Sequence, residues 1–334
     1  MIWVLFLFLV GVLLALDLGV FNRTPHKVSF KESLKWTIFW FSLSLLFSGF
    51  VYWAYDVHFE GLGLGNGQPP LEGHEAMLQF LTGYLIELSL SMDNVFVIAL
   101  IFNYFGIPAQ YQHRVLFWGI LGAIIFRGVF IGIGVWLIHR FHFIVYVFGG
   151  ILLWSAWKMW HADEEGVRPE NNTVIRLVRR WLPVTRTFYG QRFFVKKGGV
   201  LAATPLFVSL LVIETTDVMF AFDSVPAIFA ITTDPFIVFS SNIFAILGLR
   251  SLYFVLAAII EKLVYLKQSL VIVLGWVGIK MIIAHHVDLP DWLSLVVVLS
   301  VLGGGTILSL RKGNVREALS DLHKEGKDSF NEVA

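Results

Sequence analysis

Apolar segments long enough to cross a membrane recur along the whole of this chain and leave it few possible folds. About 20 consecutive apolar residues, wound as a helix, suffice to span the hydrocarbon core of a bilayer. Only 15% of the 334 residues are charged, whereas soluble domains carry about 25%. The sequence therefore predicts an all-α polytopic membrane protein. Its nine predicted transmembrane helices lie at about 2–22, 34–55, 77–102, 115–138, 142–160, 201–230, 237–260, 268–286 and 291–310.

The distribution of lysine and arginine predicts the direction of the chain through the membrane. Cytoplasmic connections carry an excess of both residues, and the connection at 161–200 is rich in them while 56–75 has none. We therefore expect the N-terminus outside and the C-terminus in the cytoplasm. The predicted organisation is two N-terminal helices (1–55), a first repeat (77–160), a basic cytoplasmic loop (161–200), a second repeat (201–286), a ninth helix (287–310) and a cytoplasmic tail (311–334).

Within the basic loop, apolar residues recur at helical spacing between about 174 and 182. Two interpretations stay open for this stretch. It is either an amphipathic helix in contact with anionic lipid or a solvated linker that the positive-inside bias retains.

Several function classes are excluded by composition. The chain has no cysteine, which excludes disulfides, thiolate metal sites, iron–sulfur clusters and dithiol redox chemistry. The net charge of +1 gives no indication of a nucleic-acid partner. We expect no permanently bound cofactor and no enzymatic activity. An intramembrane aspartyl protease built on Asp93 and Asp223 is disfavoured, because Met92 and Phe222 stand where a glycine-rich context is expected.

Two predicted spans carry the same acidic pattern. The first reads Glu87-Leu-Ser-Leu-Ser-Met-Asp93-Asn94, and the second reads Asp217-Val-Met-Phe-Ala-Phe-Asp223-Ser224. A carboxylate inside a membrane costs several kcal/mol unless it is compensated, so it indicates a functional site. The predicted cation ligands are Glu87, Asp93, Asn94, Glu214, Asp217 and Asp223.

The acidic pattern belongs to a longer internal repeat. When Asp93 is aligned with Asp223, the next helix of each unit contains an arginine, Arg127 in the first and Arg250 in the second. Each unit holds three predicted spans, and an odd number of spans inverts the second copy relative to the first. Inverted repeats with a site at their interface are typical of secondary transporters.

Five carboxylates on two straight helices cannot converge on one point, because six residues rotate a helix by about 240°. Three alternatives stay open. The helices break, and Pro226 favours a break because it frees the carbonyl group of Phe222; or the acids form two subsites; or some acids pair with Arg127 and Arg250 as structural counter-ions.

The ligand types predict the class of metal. Carboxylate, amide and hydroxyl oxygens suit Mg²⁺, Ca²⁺ or Mn²⁺. Met92 and Met219 would favour Mn²⁺ if they were ligands, and are otherwise packing residues, while Asn242 is a further candidate for the cavity lining. Two neighbouring carboxylates do not both ionise in an empty site, which suggests exchange of a cation for protons.

The segments at Glu87–Asn94, Glu214–Pro226 and Asn242–Tyr253 resemble the TerC family, and the resemblance extends over about 10–312. It implies a protein of the bacterial cytoplasmic membrane that exports Mn²⁺ as its transported ion, with the lipid bilayer and the divalent cation as its partners. The same six acidic and amide residues would form the metal pathway. The family is named after tellurite resistance and some members are described as redox modulators, so a non-transporting redox modulator or tellurite-resistance scaffold is the alternative.

Overall fold

The computed structural model describes residues 1–19, 29–64, 70–141, 143–161, 183–185, 187–197, 200–259, 265–283 and 289–332. These residues form nine α-helices, a single 3₁₀ turn at Phe59–Gly61 and one antiparallel pair of strands. The helices are α1 (Ile2–Gly19), α2 (Phe30–Asp56), α3 (Gly73–Tyr104), α4 (Ala109–Arg140), α5 (Ile144–His161), α6 (Pro205–Phe229), α7 (Pro235–Ile259), α8 (Leu266–Ile283) and α9 (Asp291–Glu332).

Seven of these helices are long and apolar enough to cross a membrane, namely α2, α3, α4, α6, α7, α8 and α9. The first and fifth predicted spans are helical as well, but α1 holds only a shorter apolar helix, Ile2–Leu16, and α5, Ile144–His161, is not among the seven. The prediction of a helical, multi-pass protein is therefore confirmed.

Two predicted boundaries differ from the structure. The sixth span was expected from residue 201, but Val200–Ala203 form strand β2, which pairs with β1, Phe194–Lys197. Helix α6 begins only at Pro205, a residue whose missing N–H and fixed φ suit the first turn of a helix. The predicted tail is not separate from the ninth span, since α9 continues to Glu332. The stretch 174–182 lies outside the described residues.

The helices pack in a reciprocal pattern. Helix α3 packs extensively against α7, α6 packs against α4, and α5 packs against α8. The last pair approaches closely at small residues: a Cβ on Gly149 would lie 3.2 Å from the carbonyl oxygen of Gly278. Helix α7 is central, with 94% of its apolar window buried inside the protein. The residues that α7 carries therefore face protein rather than the surroundings.

The turn between α6 and α7 is held by a partly buried acidic side chain, that of Asp234. Asp234 Oδ1 accepts hydrogen bonds from the backbone N–H groups of Phe236, at 2.9 Å, and Ile237, at 3.0 Å, and so caps α7. The same oxygen accepts a hydrogen bond of 2.6 Å from the hydroxyl of Tyr55, at the end of α2. This network attaches α2 to the start of the central helix.

Candidate cation site

A buried arginine joins two of the predicted acids. Arg127 of α4 and Glu87 of α3 each have only 1% of their side chain exposed, and a guanidinium nitrogen of Arg127 contacts Glu87 Oε1. The same side chain donates to both carboxylate oxygens of Asp217 on α6, from Nη2 at 3.1 Å and from Nε at 3.4 Å. The planar guanidinium group suits this geometry, because it presents several donors in a fixed fork. One cation thus holds two carboxylates from different helices, α3 and α6.

Polar side chains complete this group. Asn242 of α7, fully buried, donates a hydrogen bond of 2.9 Å to Glu87 Oε2, and Ser91 donates one of 3.3 Å to Oε1. Ser224 accepts one of 3.0 Å from Arg127. Buried charges are stable only when they are paired and hydrogen-bonded, and these contacts meet that condition. We call Glu87, Asp217 and Arg127 the arginine group.

A small cavity adjoins the arginine group. Its volume is about 30 Å³, about the space that one water molecule takes up in the liquid. Asn94 donates a hydrogen bond of 3.4 Å to Asp217 Oδ1, while its own Oδ1 is buried without a hydrogen-bond partner in the described structure. The polar residues in the cavity lining are Asn94, Thr216, Asp217 and Arg250, and the other lining residues are apolar or glycine.

Glu214 lies one helical turn before Asp217 and close enough to interact with it electrostatically. A Cβ on Gly122 of α4 would overlap the Glu214 carboxylate. Helix α4 can therefore approach this carboxylate only because residue 122 is glycine. One oxygen of Glu214, Oε2, is buried without a hydrogen-bond partner in the part of the chain that the structure describes.

The other two predicted acids belong to a second group. Ser155 of α5 donates a hydrogen bond of 2.5 Å to Asp223 Oδ1. Lys158, one turn further along α5, interacts electrostatically with Asp223. Lys267 of α8 attracts Asp93 electrostatically, whereas Asp223 repels it. We call Asp93, Asp223, Lys158 and Lys267 the lysine group.

The structure distinguishes between the three arrangements left open by the sequence. Helix α6 continues through Pro226 to Phe229, so the break expected at this proline is absent. The acids are instead divided between two groups, and Glu87 and Asp217 pair with Arg127. The carboxylates therefore do not meet at one point, and two of them pair with an arginine.

The two methionines do not share one environment. Met219 is 63% exposed, on a different face of α6 from the Asp217 carboxylate. Met92 is partly buried and lines a separate small cavity with Leu266 and Ser269. Among the described residues, no three His, Asp or Glu side chains are arranged to hold a metal ion. In this conformation Glu87 and Asp217 bind Arg127, and Asp223 accepts a hydrogen bond from Ser155.

Sequence reasoning missed three members of the site. Ser155, Lys158 and Lys267 were not predicted as site residues from the sequence. Ser155 and Lys158 lie at i and i+3 on α5, so they share a face. A serine and a lysine on one face of an apolar helix could have indicated a contact with an acidic side chain.

The site just described lies within a stretch of the chain that matches a known family. Residues 72–317 match the Integral membrane protein TerC family. The chain belongs to the TerC family. Both acidic segments and both arginines of this TerC protein lie within the matched residues.

Relatives of this TerC protein cover almost its whole length. It is 48% identical over 311 residues to "Uncharacterized membrane protein STKORF319" of Myxococcus xanthus, covering 93% of this chain and 92% of the relative. It is 45% identical over 305 residues to "Putative membrane-bound redox modulator Alx" of Escherichia coli K12, covering 90% and 92%. It is 40% identical over 315 residues to "Uncharacterized membrane protein" of Rickettsia bellii, covering 94% and 99%. No solved structure matches this chain. The family and the helices together make this an integral multi-pass membrane protein.

Proposed function

We propose that this TerC protein is a secondary transporter that exports a divalent cation, Mn²⁺, from the cytoplasm in exchange for protons. One observation carries the proposal. Carboxylates from α3 and α6 meet deep in an apolar bundle, where Glu87 and Asp217 share the buried Arg127. Such residues are costly in a membrane and mark ion pathways.

The helix pairing supports an inverted repeat in which α3–α5 correspond to α6–α8. In this repeat α3 corresponds to α6, and α7 corresponds to α4. The α3–α7 contact therefore corresponds to the α6–α4 contact, and both contacts are extensive. The α5–α8 contact corresponds to itself. A site at the interface of two such units is the arrangement that transporters use. We further propose nine crossings, an outer N-terminus, a cytoplasmic C-terminus and a bacterial cytoplasmic membrane.

The donor atoms support a hard cation. The cavity beside Asp217 offers carboxylate, amide and hydroxyl oxygens from Asp217, Asn94 and Thr216, and such ligands suit Mg²⁺, Ca²⁺ and Mn²⁺. The choice of Mn²⁺ rests on the family resemblance. In this conformation Arg127 neutralises Glu87 and Asp217, so a cation can bind to either of these two carboxylates only when it leaves Arg127.

The test is Mn²⁺ efflux from metal-loaded cells, and the variant is Asp223→Asn. This substitution keeps the shape of the side chain and removes its charge, so we expect efflux to be lost while the protein still inserts. The matched control is Asp56→Asn, at the exposed end of α2, which should transport as the parent does. Normal efflux by Asp223→Asn would refute the site. No efflux by the correctly inserted parent would refute the proposed cargo.

A second candidate function is a non-transporting redox modulator or tellurite-resistance scaffold. The printed name of the Escherichia coli relative favours it, whereas the lack of cysteine in this chain argues against thiol chemistry. In this case the basic loop, predicted at 161–200, would carry the activity and the buried acids would not. Resistance that is lost with the loop and kept in Asp223→Asn would favour the scaffold.

A further inference from the structure

Arg250 is the counterpart of Arg127 in the proposed repeat, but the two arginines have different surroundings. Arg127 holds Glu87 and Asp217. Arg250, which has 7% of its surface exposed, lines the small cavity whose lining also includes Asp217 and Asn94. The Asp217 carboxylate thus has one arginine bound to it and faces a cavity that the other arginine also lines.

If the two repeats exchange their conformations, each contact of Arg127 is replaced by the contact between the corresponding residues of the other repeat. We call this corresponding contact its image. Glu87 and Asp217 exchange places, so the image of the bridge is a contact of Arg250 with the same two carboxylates. Ser224, which accepts a hydrogen bond from Arg127, exchanges with Asn94. The image of that bond runs from Arg250 to Asn94.

Asn94 already has the acceptor that this image requires. Its side-chain oxygen is buried and has no hydrogen-bond partner within the described residues, and Asn94 and Arg250 line the same cavity. A buried acceptor without a partner costs about 1–3 kcal/mol. A contact with the Arg250 guanidinium would supply the missing donor.

We infer that Arg127 and Arg250 exchange as the counter-ion of the Glu87–Asp217 pair, and that the structure holds one of the two arrangements. The inference rests on the proposed transporter function, to which it adds Arg250 as a positioning residue. In either arrangement one guanidinium group neutralises one of the two negative charges, so Glu87 and Asp217 always have a positive charge beside them. During the exchange each carboxylate is released in turn, which gives a cation access to it.

The two arrangements are not equal in energy. Asn242 donates a hydrogen bond to Glu87, whereas the corresponding position on α4 is Gly119, which has no side chain to donate to Asp217. The observed arrangement therefore has a hydrogen bond that the image lacks. Such an imbalance gives an alternating protein a preferred resting state.

A cycle of glutamine variants tests the exchange by thermal unfolding of the purified protein. Arg127→Gln should lower the melting temperature only in part, because Arg250 then takes over the carboxylates. Arg250→Gln should lower it less than Arg127→Gln does, since Arg127 stays on the two carboxylates. The double variant should lose more than the sum of the two single losses, because no guanidinium remains for the pair. Additive losses would overturn the exchange.

The control cycle replaces Arg250→Gln with Arg114→Gln. Arg114 lies on α4, binds Gln191 and stacks over Phe193, away from the cavity, so its loss should add to that of Arg127→Gln. If Arg127→Gln alone is too unstable to purify, the same cycle is measured in the Glu87→Gln protein, where one carboxylate remains for either arginine.

The two proposals fail separately. Arg250→Gln should fold as the parent does and lose at least about tenfold in Mn²⁺ efflux, since the second arrangement is no longer populated. Efflux equal to that of the parent would overturn the exchange. No efflux by the parent, together with greater-than-additive unfolding losses, would refute the transport function and leave the exchange standing.

Discussion

The arginine group and the lysine group solve the same problem in different ways. Each compensates carboxylates from α3 and α6, but Arg127 is buried and holds its partners through several hydrogen bonds, whereas Lys158 is exposed and acts on Asp223 by charge alone. A guanidinium is a rigid fork, and an ammonium is a mobile point charge on a flexible stem. We infer that the first group sets the packing of the bundle, and the second can rearrange at low cost.

Loss of the positive charge should affect the two groups very differently. Arg127→Gln leaves Glu87 and Asp217 buried with their own guanidinium removed, and breaking a buried pair costs about 3–5 kcal/mol. Any takeover by Arg250 reduces that loss. Lys158→Gln should cost less, because Lys158 is exposed in the structure and Ser155 still holds Asp223 by a hydrogen bond. Unfolding of both variants in detergent measures the difference, and equal losses would break the comparison.

Ser155→Ala sharpens the comparison within the lysine group. It removes the hydrogen bond of 2.5 Å to Asp223, and a bond to a charged acceptor contributes about 1.5–3 kcal/mol. We expect a lower unfolding temperature and reduced efflux. Ser155→Thr keeps the hydroxyl group and should recover most of both. If Ser155→Ala behaves as the parent does, the lysine charges alone hold Asp223.

Gly122→Ala extends the comparison to Glu214, beside the arginine group. The added methyl group would overlap the Glu214 carboxylate, and overpacking of this kind costs about 1–3 kcal/mol. The control is Gly150→Ala on α5, where a Cβ would have no neighbour within 4 Å among the described residues. A lower unfolding temperature should appear in the first variant only. A loss of the same size in both would mean that helix propensity, not the Glu214 contact, is responsible.

The costliest residues were the easiest to predict from the sequence. Apolar segments of the chain contain Glu87, Asp217 and Arg127. An ionised side chain is energetically costly there unless another charge compensates it, so these residue types alone indicated a shared site. Ser155 carries no such cost, because a serine can return a hydrogen bond to its own helix. Its contact with Asp223 depends on how α5 packs against α6, which a single sequence does not encode locally.

Two features of α6 have their cause in helix geometry. Pro226 removes one backbone hydrogen bond of α6. The proline itself is buried, and the side chains packed around it keep the chain helical as far as Phe229. Met219 follows Asp217 by two residues, and positions two apart on a helix point in nearly opposite directions. Its exposed position therefore follows from the helix itself.

The Tyr55–Asp234 hydrogen bond constrains where the bundle can hinge. One carboxylate closes the turn after α6, caps α7 and attaches α2, so these three helix ends form a single block. Any motion that opens α6 away from α7 must then be largest at their far ends, next to the β1–β2 hairpin and the connection after Ile259. Asp234 would then be the hinge about which α6 and α7 separate.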